Sequence, residues 1–192
     1  ASTEAAADAA GQQGLVVSPE EAGVSVNMDS NGDSFKPADY TIPVKDEYVY
    51  EYLGLQFKLS DKIKEMMKTK DIVMLDDQSP LDQDLKYALL YFSKLTDEQK
   101  NAEVGKMGDG YEKWQESLNR IGTIGMFEKS LSEEEIGKIT KCDSHTKLGD
   151  SKDGKYSYYL SVKSDADAEV VEEFKKTDTK VIEMMARPEN GF

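Results

Sequence analysis

Thr146-Lys147-Leu148-Gly149 and Tyr156-Ser157-Tyr158-Tyr159-Leu160-Ser161-Val162 stand on either side of Asp153-Gly154. An Asp-Gly pair readily takes the left-handed backbone that a tight hairpin needs, and the aromatic and β-branched residues after it suit a pleated, half-buried surface. The spacing predicts two antiparallel strands over residues 146–162, and hence a fold built on an antiparallel sheet.

Reading upstream, Ser132-Glu133-Glu134-Glu135 has the spacing of a capping box ahead of Ile136 and Ile139, so a helix is expected there. Ile124-Gly125-Met126-Phe127 reads as a strand before it. Past Gly105, Gly108 and Gly110, the recurrence of Tyr111, Trp114, Leu118 and Ile121 at i, i+3, i+7 and i+10 predicts one face of a helix. Thr96-Asp97-Glu98-Gln99 is a second capping box. Lys86 to Phe92 is nearly all apolar, as in a strand buried on both faces.

Farther back, Asp71-Ile72-Val73-Met74-Leu75 reads as a strand closed by an acidic loop at Asp76-Asp77-Gln78-Ser79-Pro80. Ser60 is placed to cap a short helix carrying Ile63, Met66 and Met67. Alternation around Gly54, from Glu47 to Leu59, predicts a second hairpin. Downstream of the first hairpin, Asp165 or Ser164 is expected to cap a last helix with Val170, Val171 and Phe174 inward, and Pro188 to end whatever residues 181–186 form. No internal repeat is evident. The sum is an α+β fold, an antiparallel sheet packed with helices.

Residues 1–45 differ from the rest. They open with Ala1-Ser2-Thr3-Glu4-Ala5-Ala6-Ala7-Asp8-Ala9-Ala10-Gly11-Gln12-Gln13-Gly14, hold only Phe35 and Tyr40 as aromatics, and carry a net charge of −5. Such a segment buries too little apolar surface to offset its ordering entropy. The expectation is an acidic spacer over residues 1–45, with a short strand at residues 23–26, and a single α+β domain over residues 46–192.

The 192-residue chain has 38 acidic against 24 basic residues, a net charge of −14, and no basic stripe with interleaved aromatics. Nucleic acid is disfavoured as a partner, and an anionic lipid surface gains nothing from this charge. No run of 18 apolar residues exists, so membrane attachment has to come from a lipid anchor outside this chain. A signal peptide is expected to be either absent or already removed. Cys142 is the only cysteine, which excludes an internal disulfide, a Cys-X-X-Cys pair and a multi-cysteine zinc site.

Chemistry is sparse. Cys142-Asp143-Ser144-His145 brings the only thiol and the only imidazole within three residues, the composition of a thiolate–imidazole dyad, but no nucleophile elbow surrounds it. A core cysteine beside a surface histidine is the plainer reading. Asp29, Asn31 and Asp33 alternate as oxygen ligands do in a calcium loop, yet Ser34 and Tyr40 stand where an EF-hand needs Gly and Glu, so a turn is expected. Asp76, Asp77, Asp82 and Asp84 offer a second, weaker acidic group. Tyr156, Tyr158 and Tyr159 fall on alternating faces of their strand, so at least one is expected outward; with Trp114 they are the candidate ligand-binding residues, core packing being the alternative. No P-loop, GxGxxG, GxSxG or HExxH motif occurs, and no cofactor is expected.

Two resemblances follow from these residues. The order of hairpin at Tyr48 to Leu59, buried strand at Tyr87 to Phe92, strand and capped helix at Ile124 to Thr140, hairpin at Lys147 to Val162 and closing helix resembles the PsbP-like fold, which implies an α/β/α sandwich. The Ala/Ser/Thr/Glu-rich opening resembles the mature start of bacterial lipoproteins, although a cytoplasmic protein with an unfolded head shares that composition. With the ending at Arg187-Pro188-Glu189-Asn190-Gly191-Phe192, the layout is similar to the front half of Gram-positive lipoproteins in which a TlpA/ResA-like redoxin domain follows. The expected function is a noncatalytic, extracytoplasmic interaction module with a protein or small-ligand partner. The alternatives are a stand-alone surface lipoprotein that binds a small ligand or glycan, and an enzyme of unrecognised type.

Overall fold

The computed structural model describes residues 33–80 and 84–185. In chain order the elements are β1 (Ser34–Phe35), a 3-10 turn (Pro37–Tyr40), β2 (Tyr48–Tyr50), β3 (Leu55–Lys58), α1 (Asp61–Lys68), β4 (Ile72–Gln78), β5 (Tyr87–Lys94), α2 (Asp97–Asn101), β6 (Val104–Gly105), α3 (Gly110–Ser117), β7 (Asn119–Glu128), α4 (Glu133–Thr140), β8 (Ser144–Asp150), β9 (Tyr156–Val162), α5 (Ala168–Phe174) and β10 (Asp178–Val181). The fold is α+β. Its main sheet has the order β4-β5-β7-β9-β8, antiparallel throughout; β10-β3-β2 form a second sheet and β1-β6 a short pair.

Alternation along the main strands fills both faces of the sheet. On one face, Ile72, Met74, Leu90, Phe92, Met126 and Tyr158 pack with Ile63 and Met67 of α1, Val170, Val171 and Phe174 of α5, and the tyrosines and Phe57 of the β2–β3 hairpin. The other face sets Val73, Leu75, Leu89, Tyr91 and Phe127 against Trp114 of α3 and Ile136 of α4. Close packing within the sheet depends on Gly125: a Cβ there would collide with Leu89 Cβ and sit 2.7 Å from Ala88 O of the neighbouring strand.

The hairpin over residues 146–162 forms as its turn chemistry requires. Gly154 takes φ +79°, its N–H donates to Ser151 O at 2.9 Å, and Asp153 accepts from Ser151 Oγ and from the Lys155 N–H. Gly54 likewise turns the β2–β3 hairpin at φ +75°. Both capping boxes are made, by Thr96 with Gln99 and by Ser132 with Glu135, and Ser60 Oγ accepts from the Ile63 N–H at the start of α1.

Several expectations change. Residues 33–45, expected as spacer, pack onto the domain where they are described: Ala38, Tyr40 and Ile42 are buried, Ile42 N–H donates to Met74 O at 3.0 Å, and Phe35 meets Tyr40 edge-on with centroids 5.4 Å apart. The segment has few apolar residues, but most of them find partners distant in sequence. Asp76 and Asp77 do not form a loop; β4 runs on through them because β5 continues to pair, Asp76 opposite Leu90 and Asp77 opposite Leu89. Leu118 and Ile121 leave the predicted helical face. Leu118 is extended at the end of α3, and Ile121 lies in β7, beyond the irregularity at Phe92/Ser93, on the opposite side of the sheet from Trp114. The last helix is capped by Asp167, which accepts from the Glu169 and Val170 N–H groups; Asp165 is instead paired with Lys163, and Ser164 N–H is given to Asp143. The residues expected as a strand at 23–26 lie outside the described part, as does Pro188.

Candidate functional site

The aromatic candidates are placed mainly in the core. Trp114 is buried against Tyr111, and its indole N–H donates to Gln99 O at 3.0 Å. Tyr158 is fully buried with its hydroxyl on Leu53 O, and Tyr156 gives its hydroxyl to Leu85 O at 3.0 Å. Tyr159, on the other face, is half-buried beside Phe127, 5.9 Å between centroids. Among the acidic candidates, Asp33 is exposed and Asp84 is described, while Asp29, Asn31 and Asp82 lie outside the described residues. Among the described residues no three His, Cys, Asp or Glu side chains gather closely enough to hold a metal ion.

Cys142 and His145 do not meet in a hydrogen bond. Cys142 is buried just past α4, its thiol directed at Thr140 O at 3.4 Å, and burial pushes that thiol up to about 11, so it is protonated at neutral pH. His145 stands on β8 with Nδ1 2.7 Å from Ser161 Oγ. This contact follows from register: Tyr91, Thr123, Ser161 and His145 are successive cross-strand partners on one face of the sheet. Ser161 and Thr123 are fully buried; Ser161 Oγ is engaged by His145, whereas Thr123 Oγ1 has no hydrogen-bond partner among the described residues, and both hydroxyls are sealed from any substrate. Reading one strand at a time does not bring these four residues together.

A concave surface lies at the end of the main sheet where β5 and β9 finish and β7 and β8 begin. The cleft is about 480 Å³, and Lys94, Gln115, Arg120, Lys141, Lys163 and Asp167 line it. A neighbouring hollow of about 460 Å³ shares Lys141, Lys163 and Asp165 and reaches Cys142. Arg120 is set by the first residues of β7. Its guanidinium lies 4.2 Å from the Tyr91 ring centroid, and Nη1–H donates to Thr140 O at 2.7 Å, at the C-terminal end of α4. Tyr91 in turn accepts from Gln115 Nε2 at 3.2 Å. The basic residues come from β5, β7 and the segments that follow α4 and β9, so no local run of the sequence announces them.

Two carboxylates add to the electrostatics of the sheet. Burial pushes Asp76 up to about 7, with its neighbour Asp77 adding to the rise. Asp77 is also raised, by burial first, although the charge of Arg120 opposes this; Tyr87 lies 3.4 Å from Asp77 Oδ2 and is itself pushed up to about 12 by burial and that neighbouring charge.

Comparison with protein-family models, curated proteins and solved structures gives no match. The structure defines an α+β domain with a cleft, lined by Lys94, Arg120, Lys141 and Lys163 together with Glu116, Asp165 and Asp167, at one end of a five-stranded antiparallel sheet. No helix among the described residues is long and apolar enough to cross a membrane.

Proposed function

We propose that this chain is a noncatalytic binding domain of an extracytoplasmic lipoprotein, and that it takes a small ligand into the cleft bordered by Lys94, Arg120, Lys141 and Lys163. The observation that carries the reading is the cleft itself: about 480 Å³ is within the range of a small-molecule site, and polar groups from β5, α3, β7 and the segments after α4 and β9 converge on it. The thiol and imidazole offer no competing chemistry, because one is buried and protonated at neutral pH and the other is engaged with a sealed serine. The lipoprotein assignment rests on the composition of residues 1–14, with attachment through a lipid outside this chain. Kinship with the PsbP-like fold, and a redoxin domain lying beyond Phe192, are the accompanying proposals on the resemblances described above.

The test is a small-molecule and glycan screen against the isotope-labelled chain, read by amide NMR shifts. Binders are expected to move residues 94, 115, 119–121, 141 and 163–167 together. Binders that consistently perturb some other surface, or turnover of a screened compound that vanishes in Cys142→Ala, would overturn the reading.

A further inference from the structure

Arg120 is a half-buried cation that the protein leaves largely unpaired. Of the five N–H groups of a guanidinium, one is given to Thr140 O, and among the described residues no carboxylate forms an ion pair with it. The other cations of the cleft divide into two kinds. Lys94 is held by Asp167 at 3.0 Å and Lys163 by Asp165 at 2.7 Å, so their charges are already balanced. Lys141 is exposed, closes α4 in the left-handed conformation at φ 61°, and makes no ion pair among the described residues. It follows Thr140 directly, so Lys141 and Arg120 approach the same end of α4 and line the same cleft. Glu116 lines it too, from the exposed side of α3.

In a chain of net charge −14, Arg120 and Lys141 line one concavity without an ion-pair partner among the described residues, the Asp77 carboxylate acting on both only at longer range. A cation removed from water without a counter-charge is costly, whereas a planar guanidinium with free donors matches the paired oxygens of a carboxylate or phosphate. Resting on the reading that this cleft is the binding site, we propose that its ligand carries a small oxyanion, a carboxylate or a phosphate group. That group is seated on the free N–H groups of Arg120, with Lys141 supplying the second positive charge.

The probes are inorganic phosphate and succinate, titrated separately into the full labelled chain at constant ionic strength, with chloride as the control salt. Saturable shifts centred on residues 119–121 and 141 are expected, with phosphate and succinate distinguished by which binds more tightly. Arg120→Gln should weaken the preferred anion at least about tenfold, equivalent to about 1.4 kcal/mol, and Arg120→Lys should restore only part of it. Because Arg120 also packs on Tyr91, each variant is checked for an unchanged circular dichroism spectrum, and the exposed Lys141→Gln, expected to weaken binding severalfold, provides a second test that does not disturb the core. Unaltered anion binding in both Arg120→Gln and Lys141→Gln, or shifts matched by chloride, would overturn the proposal. Uncharged sugars or amides moving these same amides while both anions fail would overturn it and leave the binding cleft standing; a cleft that responds to nothing overturns both.

Discussion

Asp76→Asn should stabilise the protein at pH 8 and leave its stability at pH 4 unchanged. Asp76 lies in β4 opposite Leu90, partly buried, and its carboxyl is raised from 3.8 to about 7, chiefly by burial. The unfolded chain releases this proton near pH 4, whereas the folded protein keeps it until about pH 7. Between those values the folded state holds the extra proton, so ionising Asp76 costs stability progressively as pH rises through the window, and the whole cost is present above it. At 1.36 kcal/mol per pH unit, the difference from 3.8 to about 7 sets an upper bound of about 4 kcal/mol, and screening of a partly exposed carboxylate brings the expected gain to about 2 kcal/mol. The assay is urea unfolding of wild type and variant from pH 4 to pH 8, analysed as the difference between them. This removes the opposing contributions of Asp71, Glu128 and Asp150, whose carboxyls are lowered by lysine and hydroxyl partners, and of Asp167, lowered by Lys94 and by the backbone N–H groups it caps. A difference that stays flat with pH, or a variant less stable at pH 8, would refute the assignment of Asp76 as a buried, reluctant anion.

Gly125→Ala should lose about 2–3 kcal/mol in the same assay, since its Cβ would press on Leu89 and Ala88 of the adjacent strand; an unchanged urea midpoint would mean that β5 and β7 are less tightly joined than described. Ser132→Ala removes the hydroxyl that accepts from the Glu135 N–H, and a loss of about 1 kcal/mol is expected, with no loss counting against the capping box. Cys142 should react with a thiol-specific disulfide reagent at pH 7 about a hundredfold more slowly in the native protein than in urea, because its thiolate is suppressed by a rise from 9.0 to about 11; equal rates would show an accessible thiol.

Local chemistry was legible in the sequence. The two hairpins, the two capping boxes, the Ser60 cap and the two-faced burial of β5 all appear where a few adjacent residues settle the matter. In each, a turn or cap satisfies backbone groups within about four positions, or side chains alternate along one strand. The α+β class followed from the order of those elements. What depended on contacts between distant segments was not legible. Residues 33–45 fold because β4, β6 and Tyr111 offer them partners, Asp76 and Asp77 become strand because β5 continues beside them, and β10 extends the sheet begun by β2 and β3. The Ser161–His145 contact and the Arg120 cleft depend on cross-strand register and on the meeting of β5, β7, β9 and the end of α4. Periodicity records which side of its own element a residue occupies, and only the packed tertiary structure decides which other elements that side will face.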